Sequence, residues 1–247
     1  LAGQRKLKRL IAPLTLIWLV CLIFPAFLSG ATEEDKEITA TGAGNFLKAV
    51  EERFPVSSQV IVVSGNEASG LDARLIAFQK NENQWKRTLG PIQATLGRDG
   101  FAPSGEKREG DGRTPRGVYP LGFVFGYGQK IDSAMPYRQM TRNDIWVDDP
   151  NSPDYNRLKK KGQTRAKSFE DMVLSDDRYK YGIVVEYNTD PVIPGHGSAI
   201  FVHIWKDSKT STSGCIAISE ENILKLLRWL DPAKKPVIVL EPLTSDP

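Results

Sequence analysis

The segment FVHIWKDSKTSTSGCIAIS, residues 201–219, holds one of the chain's two histidines and one of its two cysteines. A cysteine nucleophile needs a base or a positive charge to ionise below its free pKa of about 8.5, and histidine is the usual base. The polar stretch between His203 and Cys215 is long enough to bring the two side by side. The pattern therefore allows a catalytic pair, or a structural histidine and a buried thiol.

Gly214 precedes the cysteine, and a residue without a Cβ lets an acyl group approach the backbone closely. We therefore predict that the backbone at Ser213 and Gly214 forms the oxyanion site. His196 competes for the role of base, but its place between two glycines favours a turn, so His203 is preferred. The chain has two histidines and no carboxylates at a recognisable metal-binding spacing, so we predict no metal site. No other cofactor is expected.

These residues must be positioned by strands. Short apolar runs separated by Gly, Asn and Asp predict a strand-rich domain, with strands at 59–65, 73–80, 85–97, 117–126, 181–188, 198–205 and 236–240. Alternation along 198–205 places His203 on one face with Phe201 and Trp205. Ser219 is expected to cap a helix whose apolar face packs on the sheet, and Pro232 to end it. A shorter helix is predicted near 43–53.

The N-terminal residues differ from the rest of the chain. RKLKR at 5–9 is followed by an uncharged apolar run over 10–28, with small residues before a possible cleavage point after Ala31. We predict a signal peptide over 1–31, with an uncleaved membrane anchor as the alternative, and a linker with the short helix over 32–58. Cys21 would leave with the signal, and Cys215 would be the lone thiol of an exported protein.

The positive charge of the chain lies largely in this N-terminal segment. Residues 1–31 carry four basic side chains and no acidic one, and the remaining 29 basic side chains face 30 acidic ones. The mature part is therefore close to neutral, which gives no support to a nucleic-acid partner.

Residues 129–180 interrupt the strand pattern with an irregular, polar insertion. A long loop in a compact domain is often a lid or a binding loop, although a solvated excursion is the alternative. Its candidates for substrate binding are Arg138, Tyr155 and Asp149, with a structural capping role for Asp149 as the alternative. Tyr127 and Trp205, outside the insertion, are further candidates.

Several ordered motifs resemble one family. The active-site motif of the L,D-transpeptidase catalytic domain (YkuD-like) is similar to TSGCIA at 212–217, preceded by IFVH. The resemblance extends over roughly 59–240. Further stretches that resemble the family are KREGDGRTPRGVYPL at 107–121, FGYG at 125–128, WVDDPNSPDYN at 146–156 and GHGSAIFVH at 195–203. Ser213 and Ala217 depart from the common pattern, in which many members carry a second histidine and an arginine at these positions.

The resemblance implies a mostly β fold, a YkuD-like sandwich or barrel over 59–242 with a few short helices. It also implies that Cys215 is the nucleophile, His203 its base, and the stem peptides of peptidoglycan the partner. The enzyme would release D-Ala and pass the acyl group to an amine, outside the cytoplasmic membrane in the periplasm or cell wall. An L,D-carboxypeptidase and a non-catalytic wall-binding module remain the alternatives, and the sequence leaves the oligomeric state open.

Overall fold

The computed structural model describes residues 43–243. Its helices are α1 (Ala43–Arg53) and α2 (Glu220–Trp229), and a 3₁₀ turn covers Pro232–Lys234. The strands are β1 (Gln59–Gly65), β2 (Ala73–Asn81), β3 (Gln84–Ala94), β4 (Gly117–Gly126), β5 (Tyr137–Gln139), β6 (Asp144–Val147), β7 (Leu158–Lys160), β8 (Phe169–Asp171), β9 (Tyr181–Val185), β10 (Phe201–Ile204), β11 (Ile216–Ile218) and β12 (Val237–Pro242). The predicted signal segment 1–31 lies outside the described residues.

The main sheet curls back on itself. Its strand order is β11-β10-β9-β4-β12-β1-β2-β3, with β5 added alongside β4. Just beyond β3, Thr95 exchanges two backbone hydrogen bonds of 2.8 Å with Ala217 of β11, so the first and last strands of this order meet. The predicted mostly β fold is confirmed, and the closure brings the loop after β3 against the Cys215 segment.

The largest apolar core fills the inside of this curled sheet. Ile200, Val202 and Ile204 point into it, together with Ile223, Leu226 and Leu227 of α2. Ser219 caps that helix by accepting a hydrogen bond from the Asn222 amide, as the sequence predicts. A second cluster lies under α1, where Leu47 and Val50 pack on β1 and β12. Within residues 43–243, neither helix is long and apolar enough to cross a membrane.

The insertion at 129–180 is more regular than its composition indicates. Strands β6, β7 and β8 form a separate three-stranded antiparallel sheet with β6 in the centre. Strands of three or four residues are too short to show a clear alternation, which explains why the sequence pattern misses them. Trp146 of this small sheet packs edge to face on Phe201 at 5.0 Å between ring centres. The insertion is therefore anchored to the strand that carries His203.

Candidate active site

Strands β10 and β11 bring His203 and Cys215 into one cleft. The two strands are parallel neighbours with His203 opposite Ala217, and Cys215 is the residue just before β11. The cysteine sulfur accepts a hydrogen bond from the Phe201 amide at 3.4 Å and donates to the Ala199 carbonyl at 3.2 Å. Both candidate catalytic side chains line a cleft of about 500 Å³, a size typical of small-ligand sites.

The imidazole of His203 is arranged to accept a proton. Its Nδ1 lies 2.8 Å from the carbonyl oxygen of Ile204. A carbonyl can only accept, so Nδ1 carries the hydrogen and Nε2 keeps its lone pair. The side chain is buried, and burial lowers the pKa of His203 to about 4. At neutral pH the ring is therefore an uncharged base in a fixed tautomer.

The thiol of Cys215 is also uncharged in this resting arrangement. Burial is the main cause that raises its pKa to about 12, and the negative charge of Glu170 adds to the effect. Hydrogen bonding from the Phe201 amide opposes this rise. The pair thus rests as thiol and imidazole, and the proton must leave the sulfur as the bond to a substrate forms.

The turn before Cys215 is held by Thr212. Its hydroxyl donates to the Cys215 carbonyl at 2.6 Å and accepts from the Gly214 amide at 3.1 Å. Gly214 has φ of +150°, and a Cβ at that position would lie 2.9 Å from the Arg113 carbonyl oxygen. The glycine is required by this close approach. Its N–H is engaged within the turn, while Ser213 lines the cleft beside the cysteine.

The insertion forms one wall of the cleft, although with other residues than those predicted. It contributes Asp148, Phe169, Glu170, Arg178 and Tyr179. One carboxylate oxygen of Asp148 is buried without a hydrogen-bond partner among the described residues. Sequence reasoning missed Glu170 and Tyr179 because nothing in a polar, irregular stretch shows which side chains will face the cysteine.

The three candidates for substrate binding within the insertion make contacts away from this lining. The guanidinium of Arg138 stacks over the Phe123 ring at 5.1 Å. Asp149 accepts hydrogen bonds from the amides of Lys167 and Asn151, at 2.8 and 3.0 Å, which lower its pKa.

Tyr155 is buried in a polar network beside the cleft. It donates to the Glu109 carboxylate and accepts from the Gly197 amide at 3.0 Å. Glu109 also accepts from the Ser198 hydroxyl at 2.7 Å. Glu109 and Ser198 line the cleft, while Tyr155 is not in its lining. The contacts of Tyr155 therefore support the loop that leads into β10.

The remaining candidates lie at the margins. Trp205 lines a smaller cavity of about 240 Å³ that shares His203 with the main cleft. The Tyr127 hydroxyl accepts a hydrogen bond from the Leu174 amide at 2.9 Å. His196 lies outside the cleft lining, and its carbonyl accepts from the Tyr187 hydroxyl. Of the two histidines, His203 is the one beside Cys215 in the cleft.

A buried cysteine and an oriented histidine in one cleft of a curled β sheet are the constellation of cysteine-dependent acyl-transfer proteins. The model of the L,D-transpeptidase catalytic domain, YkuD, matches residues 58–239. The chain belongs to this family, as its motifs predict. None of the curated proteins matches it. A solved structure of Bdellovibrio bacteriovorus Bd1075 aligns with 74% of this chain and 48% of that one, at 15% identity and a TM-score of 0.41. The chain thus spans about half the length of that protein.

Proposed function

We propose that the protein is an exported L,D-transpeptidase that acts on the tetrapeptide stems of peptidoglycan. The family match supports activity of this type on peptidoglycan. The single observation that carries the proposal is the joint placement of Cys215 and His203 on the wall of one cleft, with Nε2 of the histidine left as an acceptor.

The reaction follows from this geometry. The proton of the Cys215 thiol passes to His203 Nε2 while the sulfur attacks the carbonyl carbon after the third, diamino residue of a stem. The resulting oxyanion is stabilised by backbone N–H groups of the turn at Ser213 and Cys215, because the Gly214 N–H donates to Thr212 in the resting turn. The imidazolium returns the proton to the departing amine of D-Ala. An acceptor amine then attacks the thioester carbonyl carbon, the C–S bond breaks, and the proton that the amine loses passes through His203 Nε2 to the sulfur, which restores the thiol.

The neutral resting pair suits this sequence of events. A thiol with a pKa of about 12 and a histidine with a pKa of about 4 hold no ion pair before substrate arrives. Transfer becomes favourable only when the carbonyl carbon takes up the developing negative charge of the sulfur. This arrangement also protects a lone thiol from oxidation in an oxidising compartment, since the thiolate is the reactive form.

The test is incubation of the purified protein with a disaccharide-tetrapeptide, followed by mass spectrometry of the products. We expect loss of D-Ala together with a cross-linked dimer, and a thioester adduct of the Cys215 peptide. Loss of D-Ala without the dimer would mean an L,D-carboxypeptidase with water as acceptor. A lack of both products would favour a wall-binding module. Cys215→Ser is the matched control, because its hydroxyl keeps the size of the group but is a poorer nucleophile.

Export is part of the same proposal, since a polymeric wall substrate lies outside the cytoplasmic membrane. The apolar run over 10–28 and the basic residues before it support a signal peptide. Fractionation of cells should find the chain in the periplasm or wall fraction, and sequencing of its N-terminus should place cleavage after Ala31. Recovery from the cytosol would contradict both the location and the substrate, whereas an intact N-terminus in the membrane fraction would indicate an anchor.

A further inference from the structure

Two side chains of the insertion, Glu170 and Tyr179, form a hydrogen-bonded pair on the cleft wall. Glu170 belongs to β8, and Tyr179 lies two residues before β9. The tyrosine hydroxyl donates to the Glu170 carboxylate at 2.5 Å. Both residues line the cleft with Cys215 and His203. The catalytic motif contains neither of them, so the pair requires its own explanation.

The phenol ring of Tyr179 is held in place on several sides. It is 3% exposed. It packs edge to face against Phe125 at 5.8 Å, Phe201 at 5.7 Å and His203 at 5.1 Å between ring centres. A ring fixed in this way cannot move its oxygen far. The hydroxyl can still rotate about the C–O bond and so choose between acceptors.

The sulfur of Cys215 lines the same cleft and accepts a hydrogen bond from the amide of Phe201, whose ring packs on the phenol. Burial and the charge of Glu170 raise the pKa of this thiol, and hydrogen bonding from Tyr179 lowers it. A phenol has one proton to donate. While the thiol is neutral, that proton belongs with the carboxylate of Glu170. Once the sulfur becomes negative, it competes with the carboxylate for the same donor.

We propose that Tyr179 is a catalytic residue that donates a hydrogen bond to the Cys215 sulfur as it ionises, and that Glu170 is the positioning residue that aims the phenol. The role assigned to the sulfur rests on the proposed function. In the step itself the S–H bond breaks and the proton goes to His203 Nε2. The O–H bond of Tyr179 stays intact, and only its acceptor changes.

The charges around Glu170 fit a carboxyl that can release the phenol. Burial raises its pKa to about 7, against the lowering effect of the hydrogen bond that Tyr179 donates to it. The charges of Asp148 and Glu109 add to the rise, and the charge of Arg178 opposes it. A protonated Glu170 can donate to the Tyr179 oxygen, so that the phenol is free to donate to the sulfur. Lys107, another residue of the cleft lining, also favours the thiolate. The pH dependence of Cys215 reactivity therefore includes the titration of Glu170, the charges of these neighbours and the titration of His203.

The test is the rate at which iodoacetamide alkylates Cys215 between pH 6 and pH 9, with the Cys215 peptide measured by mass spectrometry. Glu170→Gln keeps an acceptor for the phenol but removes the charge, so alkylation should become faster by roughly tenfold at pH 8. Adding Tyr179→Phe to that variant removes the donor, so alkylation should become slower again by roughly tenfold. The second change is made in the Gln background because loss of the phenol would otherwise alter the titration of Glu170.

Tyr187→Phe is the matched control, since this partly buried hydroxyl donates to the His196 carbonyl outside the cleft lining. It should leave the alkylation rate unchanged. If both cleft changes shift the rate in the same direction, or neither does, the proposal is wrong. Tyr179→Phe alone at pH 9 serves if Glu170→Gln does not fold, and an unchanged or faster rate there contradicts the role of the phenol. Alkylation needs no peptidoglycan, so failure of the tetrapeptide assay remains a separate result.

Discussion

Acid should destabilise this protein through its buried His203, and the size of the effect follows from the histidine's surroundings. The imidazole is 3% exposed and donates to the Ile204 carbonyl. Burial lowers its pKa from the ordinary value of 6.5 to about 4. Between these values the unfolded chain binds a proton that the folded chain does not. The folded state therefore loses stability as the pH falls, by about 2 kcal/mol at pH 5 and about 3 kcal/mol at pH 4.

The perturbation that isolates this effect is His203→Asn. An asparagine amide can replace the Nδ1–H donor to the Ile204 carbonyl, but it does not titrate. Glu170 contributes the opposite slope, since its pKa of about 7 in the folded chain lies above the ordinary 4.5. Its stabilising contribution is present below pH 4.5 and is lost as the pH rises to about 7. Both proteins carry Glu170, so its contribution cancels in the comparison.

The assay is urea unfolding of both proteins at pH 7.5 and at pH 5.0, with the free energy of unfolding taken from each curve. The variant pays a constant cost for its altered packing at both pH values. The wild-type protein should lose about 2 kcal/mol more than the variant between pH 7.5 and pH 5.0. Equal losses in the two proteins would show that the imidazole is accessible to water and protons. That result would also contradict a neutral resting pair of thiol and imidazole.

Four further substitutions probe the site and its supports. His203→Ala should slow thioester formation by about 10²–10⁴-fold, the usual loss of a general base, whereas His196→Ala should change it little; single-turnover mass spectrometry ranks the two. Gly214→Ala should lower both the melting temperature and the acylation rate, because its Cβ would press on the Arg113 carbonyl; a variant with normal activity would show that the turn can relax. Asp149→Ala should lower the melting temperature by roughly 2–6 °C and leave the activity of the folded protein intact; a raised KM at unchanged melting temperature would restore its predicted binding role.

Much of the fold could be predicted because strands of seven to eleven residues leave a clear pattern. The predicted strand at 59–65 and the helix at 43–53 match β1 and α1 in their bounds. Strand β10 is shorter than predicted, at Phe201–Ile204 rather than 198–205. Ala199 has a positive φ of 53°, which breaks the extended backbone just before it. A backbone bend of this kind has no signature in an apolar run.

The cleft wall could not be predicted in the same way, and the reason is physical. His203 lies on β10 and Cys215 directly precedes the neighbouring strand β11, so local patterns bring them together. Tyr179 is positioned by its packing on Phe125 and Phe201, and Glu170 belongs to the small sheet, which is anchored through the contact of Trp146 with Phe201. That contact joins segments 55 residues apart, and no periodicity records it. Long-range packing of this kind decides which of several polar side chains faces the substrate.

The strands and the insertion contribute differently to the proposed specificity. The strands and the turn at Thr212 position Cys215, His203 and the backbone N–H groups of the proposed oxyanion site, and the proposed reaction needs these groups for any acyl substrate. The insertion supplies charged side chains of both signs to the cleft lining, namely Arg178, Asp148 and Glu170. Exchange of the insertion's cleft-facing residues should therefore change which acceptor is used more than whether the thioester forms. In Asp148→Asn we expect the ratio of cross-linked dimer to hydrolysed product to change while the rate of D-Ala release stays the same.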